Sequence, residues 1–237
     1  MNLAYCSDYG EMSRMAATLV LEALAAKPDL LLCTATGSSP EGLYSELSSI
    51  ARGDAEAFNQ LRILKLDEWG GIPEDHSVSC EYYLRKKLLD PLDIPSERYI
   101  SFHSDPKNPE QECNRIRSRL EKEGSIDVCI LGLGRNGHLG FNEPAPELEP
   151  SCHVAALSKE SLQHPMIASL ESKPSYGLTL GMDEIMASRQ IIMLLSGSGK
   201  KAMAKKFLEA RVSNELPASY LWEHSQVDCL VDCSVLE

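Results

Sequence analysis

Gly132-Leu133-Gly134-Arg135-Asn136-Gly137-His138-Leu139-Gly140-Phe141-Asn142-Glu143-Pro144 follows directly on the apolar run Ile126 to Leu131. Four glycines, a histidine and a glutamate therefore stand where a buried strand should end. Loops leaving the carboxyl ends of parallel strands share one crevice, and catalytic groups are often displayed there. Gly132-x-Gly134-x-x-Gly137 also matches the dinucleotide fingerprint. That motif needs a helix at its last glycine and an acidic residue after the next strand. Here Gly140 and Pro144 follow at once, and the strand expected next ends without an acid, so a nucleotide cofactor is not expected. The alternative is that the glycines let backbone amides approach a ligand while His138 and Glu143 supply proton chemistry.

Outward from this loop, strands and helices alternate. Residues 11 to 26 carry Met12, Met15, Ala16, Leu19, Val20, Ala23 and Leu24 at helical spacing, and Pro28 stops the helix. Leu30 to Cys33 is a short buried strand leading into Thr36-Gly37-Ser38-Ser39-Pro40, with Ser39 expected as N-cap and Pro40 as first helical residue. A capped helix start after a Gly/Ser/Thr turn gathers free amides and hydroxyls around one point and suits an anion. The same residues would equally make an ordinary connection.

A strand Ile63 to Leu66 ends in Asp67-Glu68-Trp69-Gly70-Gly71. Adjacent carboxylates at a strand end are candidates for acid-base work; alternatively Asp67 caps a turn and Glu68 is solvated. Helical patterns follow over 78 to 90 and after Asn108-Pro109, and neither demands a functional reading. Beyond the glycine loop come a strand near Val154 to Leu157, a polar stretch to Lys173 that could act as a lid, and an apolar run Tyr176 to Leu180. A strand Ile191 to Leu195 then enters Ser196-Gly197-Ser198-Gly199-Lys200, a second anion cradle with a lysine at its lip. It is not a P-loop, because the earlier glycine is absent and Lys201 replaces the Ser/Thr. A short helix over Pro217 to Trp222 and a strand Val227 to Val231 close the chain. This order specifies a single α/β domain over 1–237, a mostly parallel sheet with helices on both faces.

Composition sets the outer limits. A chain of 237 residues, 43% hydrophobic, can bury a sizeable core. Its apolar runs fall short of the roughly 20 residues a bilayer span needs, and it starts without a basic-then-apolar leader; a soluble, cytoplasmic protein with no membrane partner is expected. Eight cysteines without a C-x-x-C pair are expected as free thiols, and no metal signature is present. A net charge of −12 argues against nucleic acid as partner. An anionic small molecule would have to be held by local donors against that field.

Lys65-Leu66-Asp67-Glu68-Trp69, Thr36-Gly37-Ser38-Ser39-Pro40 and the Gly132 to Pro144 loop together resemble the amino-sugar-phosphate isomerase/deaminase family, typified by glucosamine-6-phosphate deaminase. The resemblance is strongest to the proteins called galactosamine-6-phosphate isomerases, which share Ser151-Cys152-His153 and the Leu216-Pro217-Ala218-Ser219 stretch ahead of Trp222. It spans nearly the whole chain. It implies a Rossmann-like fold and a cofactor-free reaction of amino-sugar metabolism, in which a 2-amino-2-deoxyhexose 6-phosphate is opened, isomerised and stripped of ammonia. By position, Asp67 would move the proton between C2 and C1, His138 would assist ring opening, and Glu143 would orient or tune it. Thr36, Gly37, Ser38, Ser39, Gly137 and Lys200 would hold the sugar phosphate.

Two departures stand out. Asn136 occupies the position of an aspartate that pairs with the catalytic histidine in glucosamine-6-phosphate deaminases; asparagine can hydrogen-bond the ring but cannot stabilise its charged form, so a weaker base is expected. The galactosamine-type relatives also carry asparagine. The arginine that helps bind phosphate in the glucosamine enzymes has no counterpart, and the aligned region Lys159 to Ile167 offers Lys159 and His164. A 6-phosphogluconolactonase-like hydrolase and a non-catalytic sugar-phosphate sensor are the alternatives. Relatives occur as monomers and larger assemblies, so a homo-oligomer is compatible with the resemblance.

Overall fold

A computed structural model describes residues 1–237. In chain order its strands are β1 (Asn2–Cys6), β2 (Leu31–Thr34), β3 (Arg62–Lys65), β4 (Asp67–Trp69), β5 (Tyr99–Ile100), β6 (Val128–Gly132), β7 (His153–Ala155), β8 (Gly177–Thr179), β9 (Gln190–Leu195) and β10 (Val227–Asp232). The helices are α1 (Tyr9–Ala26), α2 (Ser38–Ala51), α3 (Cys80–Leu84), α4 (Pro109–Glu123), α5 (Lys159–Leu162), α6 (Met182–Met186) and α7 (Lys201–Leu208). Seven strands form the main sheet in the order β1-β10-β9-β6-β2-β3-β5, every pairing parallel. The α/β expectation holds.

Strand periodicity explains the two layers. Along β6, Val128 and Ile130 enter one core while Cys129 and Leu131 enter the other, and along β9 Ile192 and Leu194 oppose Ile191, Met193 and Leu195. Successive side chains point to opposite faces, so a strand buried on both sides must be apolar at every position. The first core takes Met12, Val20 and Leu24 from α1 and Leu43 and Leu47 from α2; the other takes Ile116 and Leu120 from α4 and Phe207 from α7. All eight cysteines are free, and all but Cys233 are buried.

Two expectations need correction. The chain does not end a strand at Leu66 and turn: after β3 it continues as β4, which leaves the main sheet and pairs antiparallel with β8 in a small sheet ordered β4-β8-β7. Asp67 and Trp69 thus lie on a strand with fixed register, Asp67 opposite Thr179 and Trp69 opposite Gly177. Edge strand β1 was not anticipated, since Leu3 and Tyr5 are exposed and its residues lack the apolar run of a buried strand. No helix is long and apolar enough to cross a membrane.

Candidate active site

A cavity of about 570 Å³ opens at the carboxyl ends of β2, β3, β6 and β9. Thr36, Gly37, Ser38, Ser39, Asp67, His138 and Lys200 all line it, so residues from four separate stretches meet there.

The Thr36–Ser39 turn is shaped by glycine and tyrosine. Gly37, with φ of 117°, caps α2, and the helix starts at Ser38; Ser39 is therefore the second helical residue, not the N-cap. A left-handed turn of this kind falls to glycine because a Cβ would clash with the chain. Three tyrosine hydroxyls hold three carbonyls of the turn: Tyr44 donates to Ala35 O at 2.7 Å, Tyr83 to Gly37 O at 2.7 Å and Tyr9 to Ser38 O at 2.7 Å. With the carbonyls held by the tyrosines, none of the amides of Thr36 to Ser39 donates to another protein group. Those amides, at the positive end of α2, make an anion site. Tyr83 also lines the cavity, so the 78 to 90 helical segment does contribute to the site.

Lys200 closes the cradle from the β9–α7 turn, donating to Ser39 Oγ at 3.3 Å. Burial, with Arg135 nearby, pulls its ammonium down to about 8. Arg135, quoted in the glycine loop without a role of its own, also lines the cavity. Sequence reasoning missed it; the signal that would have found it is a positive charge displayed in a loop at the end of a buried strand.

Asp67 faces this cradle from β4. It is 8% exposed and forms no hydrogen bond, and its Oδ1 is fully buried. Burial first, then the neighbouring Glu68 charge, push its carboxyl up to about 7, against a lowering by Lys65. A carboxyl held near neutrality without partners is poised to give and take protons. Gly140, with φ of 58°, lets the glycine loop pass close by: a Cβ there would stand 2.6 Å from Thr179 Oγ1 and 3.6 Å from Asp67 Oδ2.

Glu68 is not solvated. Its Oε2 accepts from Lys65 Nζ at 2.8 Å and from Glu81 N at 2.9 Å, and its Oε1 from Trp69 N at 2.9 Å and Cys80 N at 2.8 Å. Lys65 also reaches Glu81 Oε2 at 3.0 Å, to which Tyr99 donates at 2.8 Å. Burial would lower the Lys65 ammonium, but Glu68 and Glu81 more than reverse this and it is raised. The cluster ties β4 to the start of α3 and fixes the strand that carries Asp67.

His138 projects from the glycine loop. Its Nδ1 lies 3.1 Å from Glu143 Oε2 and 3.4 Å from Ser161 Oγ, and a Cβ on Gly134 would sit 2.2 Å from its Cδ2. Asn136 bonds not to the ring but to its surroundings: Nδ2 donates to Glu143 Oε2 at 2.7 Å and Oδ1 accepts from His138 N at 3.2 Å. Asn136 and Glu143 lie behind His138 rather than in the wall. Gly137 is also outside it; with φ of 88° it faces Leu216, whose Cδ1 would be 2.2 Å from a Cβ, and its carbonyl accepts from Ala218 N at 2.9 Å. Its special conformation serves packing, not substrate approach.

The polar stretch after β7 forms the remaining wall, with Glu160, Ser161, His164, Pro165 and Met166. Ser161 donates to Glu143 Oε1, and His164 rests on Trp69 with ring centroids 5.8 Å apart. Lys159 does not reach the cavity. Of the two residues considered in place of the absent arginine, only His164 is in position.

The chain is 36% identical over 230 residues to a provisionally named deaminase, AgaI, of Escherichia coli (strain K12), covering 97% of this chain and 91% of that one. It is 33% identical to glucosamine-6-phosphate deaminase 1 of Bacillus subtilis (strain 168), covering 98% and 97%. Among solved structures, a monomeric glucosamine-6-phosphate deaminase superposes with a TM-score of 0.92 at 32% identity over 100% of both chains. The 6-phosphogluconolactonase of Trypanosoma brucei shares the fold, with a TM-score of 0.78 at 22% identity over 99% and 97% of the two chains. Residues 10–230 match the family model described as glucosamine-6-phosphate isomerases/6-phosphogluconolactonase, and the chain belongs to that family.

Proposed function

We propose that this chain is an amino-sugar 6-phosphate isomerase/deaminase that converts galactosamine 6-phosphate or glucosamine 6-phosphate to the ketose 6-phosphate and ammonia. The observation that carries the reading is Asp67: a buried, unpartnered carboxyl near neutrality, lining one cavity with the anion cradle and with His138. A carboxyl near neutrality would also serve to activate water for lactone hydrolysis, and what favours the amino-sugar reading over that one is the greater likeness to deaminases, at 32 to 36% identity against 22% for the lactonase.

The steps follow from the groups in the wall. The 6-phosphate binds to the Thr36–Ser39 amides, Lys200 and Arg135. His138, its Nδ1–H directed to Glu143, presents Nε2 to the ring oxygen and O1 and moves the proton that opens the pyranose. In the open chain, Asp67 removes the C2 proton to give an enolamine and returns a proton to C1, leaving an iminium at C2. Addition of one water to C2 and departure of ammonia yields the ketone. Each carbon-bound proton passes through a carboxyl whose tuning suits both directions of transfer.

The galacto epimer is favoured by the Asp67-Glu68-Trp69 and Arg135-Asn136-Gly137-His138 resemblance. The test is ammonia release from galactosamine 6-phosphate and glucosamine 6-phosphate, run beside hydrolysis of 6-phosphogluconolactone. Ammonia from at least one amino sugar is expected. Lactone hydrolysis with no ammonia from either would replace this reading by the lactonase one.

A further inference from the structure

The His164 ring is oriented by its own turn. Its Nδ1 accepts from Met166 N at 3.2 Å, at the start of the 3-10 turn Pro165–Ile167. In a neutral imidazole an accepting Nδ1 leaves the hydrogen on Nε2. That Nε2 stands 3.9 Å from where a Cβ on Gly37 would lie, which sets the N–H beside the glycine that opens the anion cradle. Trp69 supports the ring from one side, at an interplanar angle of 43°.

We propose that His164 is a substrate-binding residue that determines specificity for the phosphate, donating from Nε2–H to an oxygen of the 6-phosphate opposite Lys200. This rests on the sugar-phosphate reading of the cavity. Burial, together with His138, Lys200 and Arg135, lowers the His164 imidazolium to about 4, so the free ring is neutral. The ring faces His138 and the cation Arg135 from the glycine loop and the cation Lys200 from the β9–α7 turn. Glu41 on α2, Asp67 on β4, Tyr83 on α3 and Glu160 on α5 line the same cavity. A phosphate oxygen placed between the ring and these cations accepts from Nε2–H, while Nδ1 keeps its hydrogen bond from Met166 N and the ring stays neutral.

The two amides test the assignment separately. His164→Gln can donate from the Nε2 position, whereas His164→Asn can replace only the Nδ1 acceptor that holds the turn. Calorimetric titration with the unreactive hexitol phosphate glucitol 6-phosphate at pH 6.5 reads the affinity. Glucitol controls for the sugar, and thermal melting checks the fold. The expected result is an affinity loss of about 10- to 100-fold in His164→Asn, the range for a hydrogen bond to a charged group. His164→Gln should retain affinity within about 3-fold, a deficit well below one such bond. Binding in His164→Asn equal to wild type, or a loss in His164→Gln as large as in His164→Asn, overturns the proposal and leaves the sugar-phosphate reading standing. Wild type that binds no glucitol 6-phosphate overturns both.

Discussion

His138 Nδ1 lies 3.1 Å from Glu143 Oε2, and this contact sets the direction of the imidazole. An ionised carboxylate only accepts, so Nδ1 carries the hydrogen and Nε2 offers its lone pair to the cavity. Burial pushes the Glu143 carboxyl up, but hydrogen bonds from His138, Ser161 and Asn136, with the charge of His138, outweigh it and bring it to about 2. Glu143 therefore remains an anion at working pH and orients the ring without giving up a proton itself.

Glu143→Gln removes the charge but keeps the shape. The variant is expected to lose on the order of 10²-fold in kcat, the low end for general acid-base assistance, with KM little changed. Steady-state kinetics check this; wild-type kcat would show that the carboxylate does not support His138.

Asn136 donates to the same Glu143 oxygen at 2.7 Å. Asn136→Asp exchanges that donor for a second carboxylate, and two carboxylates in contact favour a shared proton. A new ionisation should appear in the pH–rate profile, with a stability loss of about 1–3 kcal/mol for the broken hydrogen bond. An unaltered profile with an unaltered melting temperature would show that Asn136 does not act on the pair.

Asp67 works as a base when deprotonated and Lys200 binds phosphate when protonated. With Asp67 raised to about 7 and Lys200 lowered to about 8, kcat/KM should rise through pH 7 and fall above pH 8. Lys200→Ala should flatten the alkaline limb and raise KM by about 10- to 100-fold, as loss of a charged hydrogen bond does. An alkaline limb unmoved in this variant assigns it to another group.

The buried Glu68 charge raises Asp67 and also binds Lys65. Glu68→Gln should move the acid limb of kcat/KM to lower pH, because the raising charge is gone while Lys65 remains. Glu68→Ala leaves the Lys65–Glu81 half of the cluster incompletely paired, and breaking a buried pair costs about 3–5 kcal/mol. Denaturant unfolding measures this cost; a loss below about 1 kcal/mol, typical of an exposed pair, would contradict it.

Periodicity and turn residues made the parallel sheet legible, because β2, β6 and β9 are apolar on both faces and each ends in a Gly/Ser-rich turn. They also placed Thr36–Ser39, Asp67, His138 and Lys200 at strand ends, hence in one crevice. What they could not show depended on contacts distant in sequence. Glu68 looks solvated until Lys65, Trp69 N and Cys80 N converge on it, and Tyr9, Tyr44 and Tyr83 resemble ordinary helix residues until their hydroxyls meet the carbonyls of one turn. The departure of β4 from the main sheet is likewise invisible locally, since its partner β8 lies more than a hundred residues away.

The central claim, that Asp67 carries a proton off C2, is tested most directly by following deuterium at C2 of the amino-sugar 6-phosphate through one turnover by NMR. The label should leave C2 in step with ammonia release, passing to C1 or to solvent, and Asp67→Asn should stop both while binding glucitol 6-phosphate as wild type does. Ammonia released with the label still on C2, or label loss undiminished in Asp67→Asn, would contradict the account.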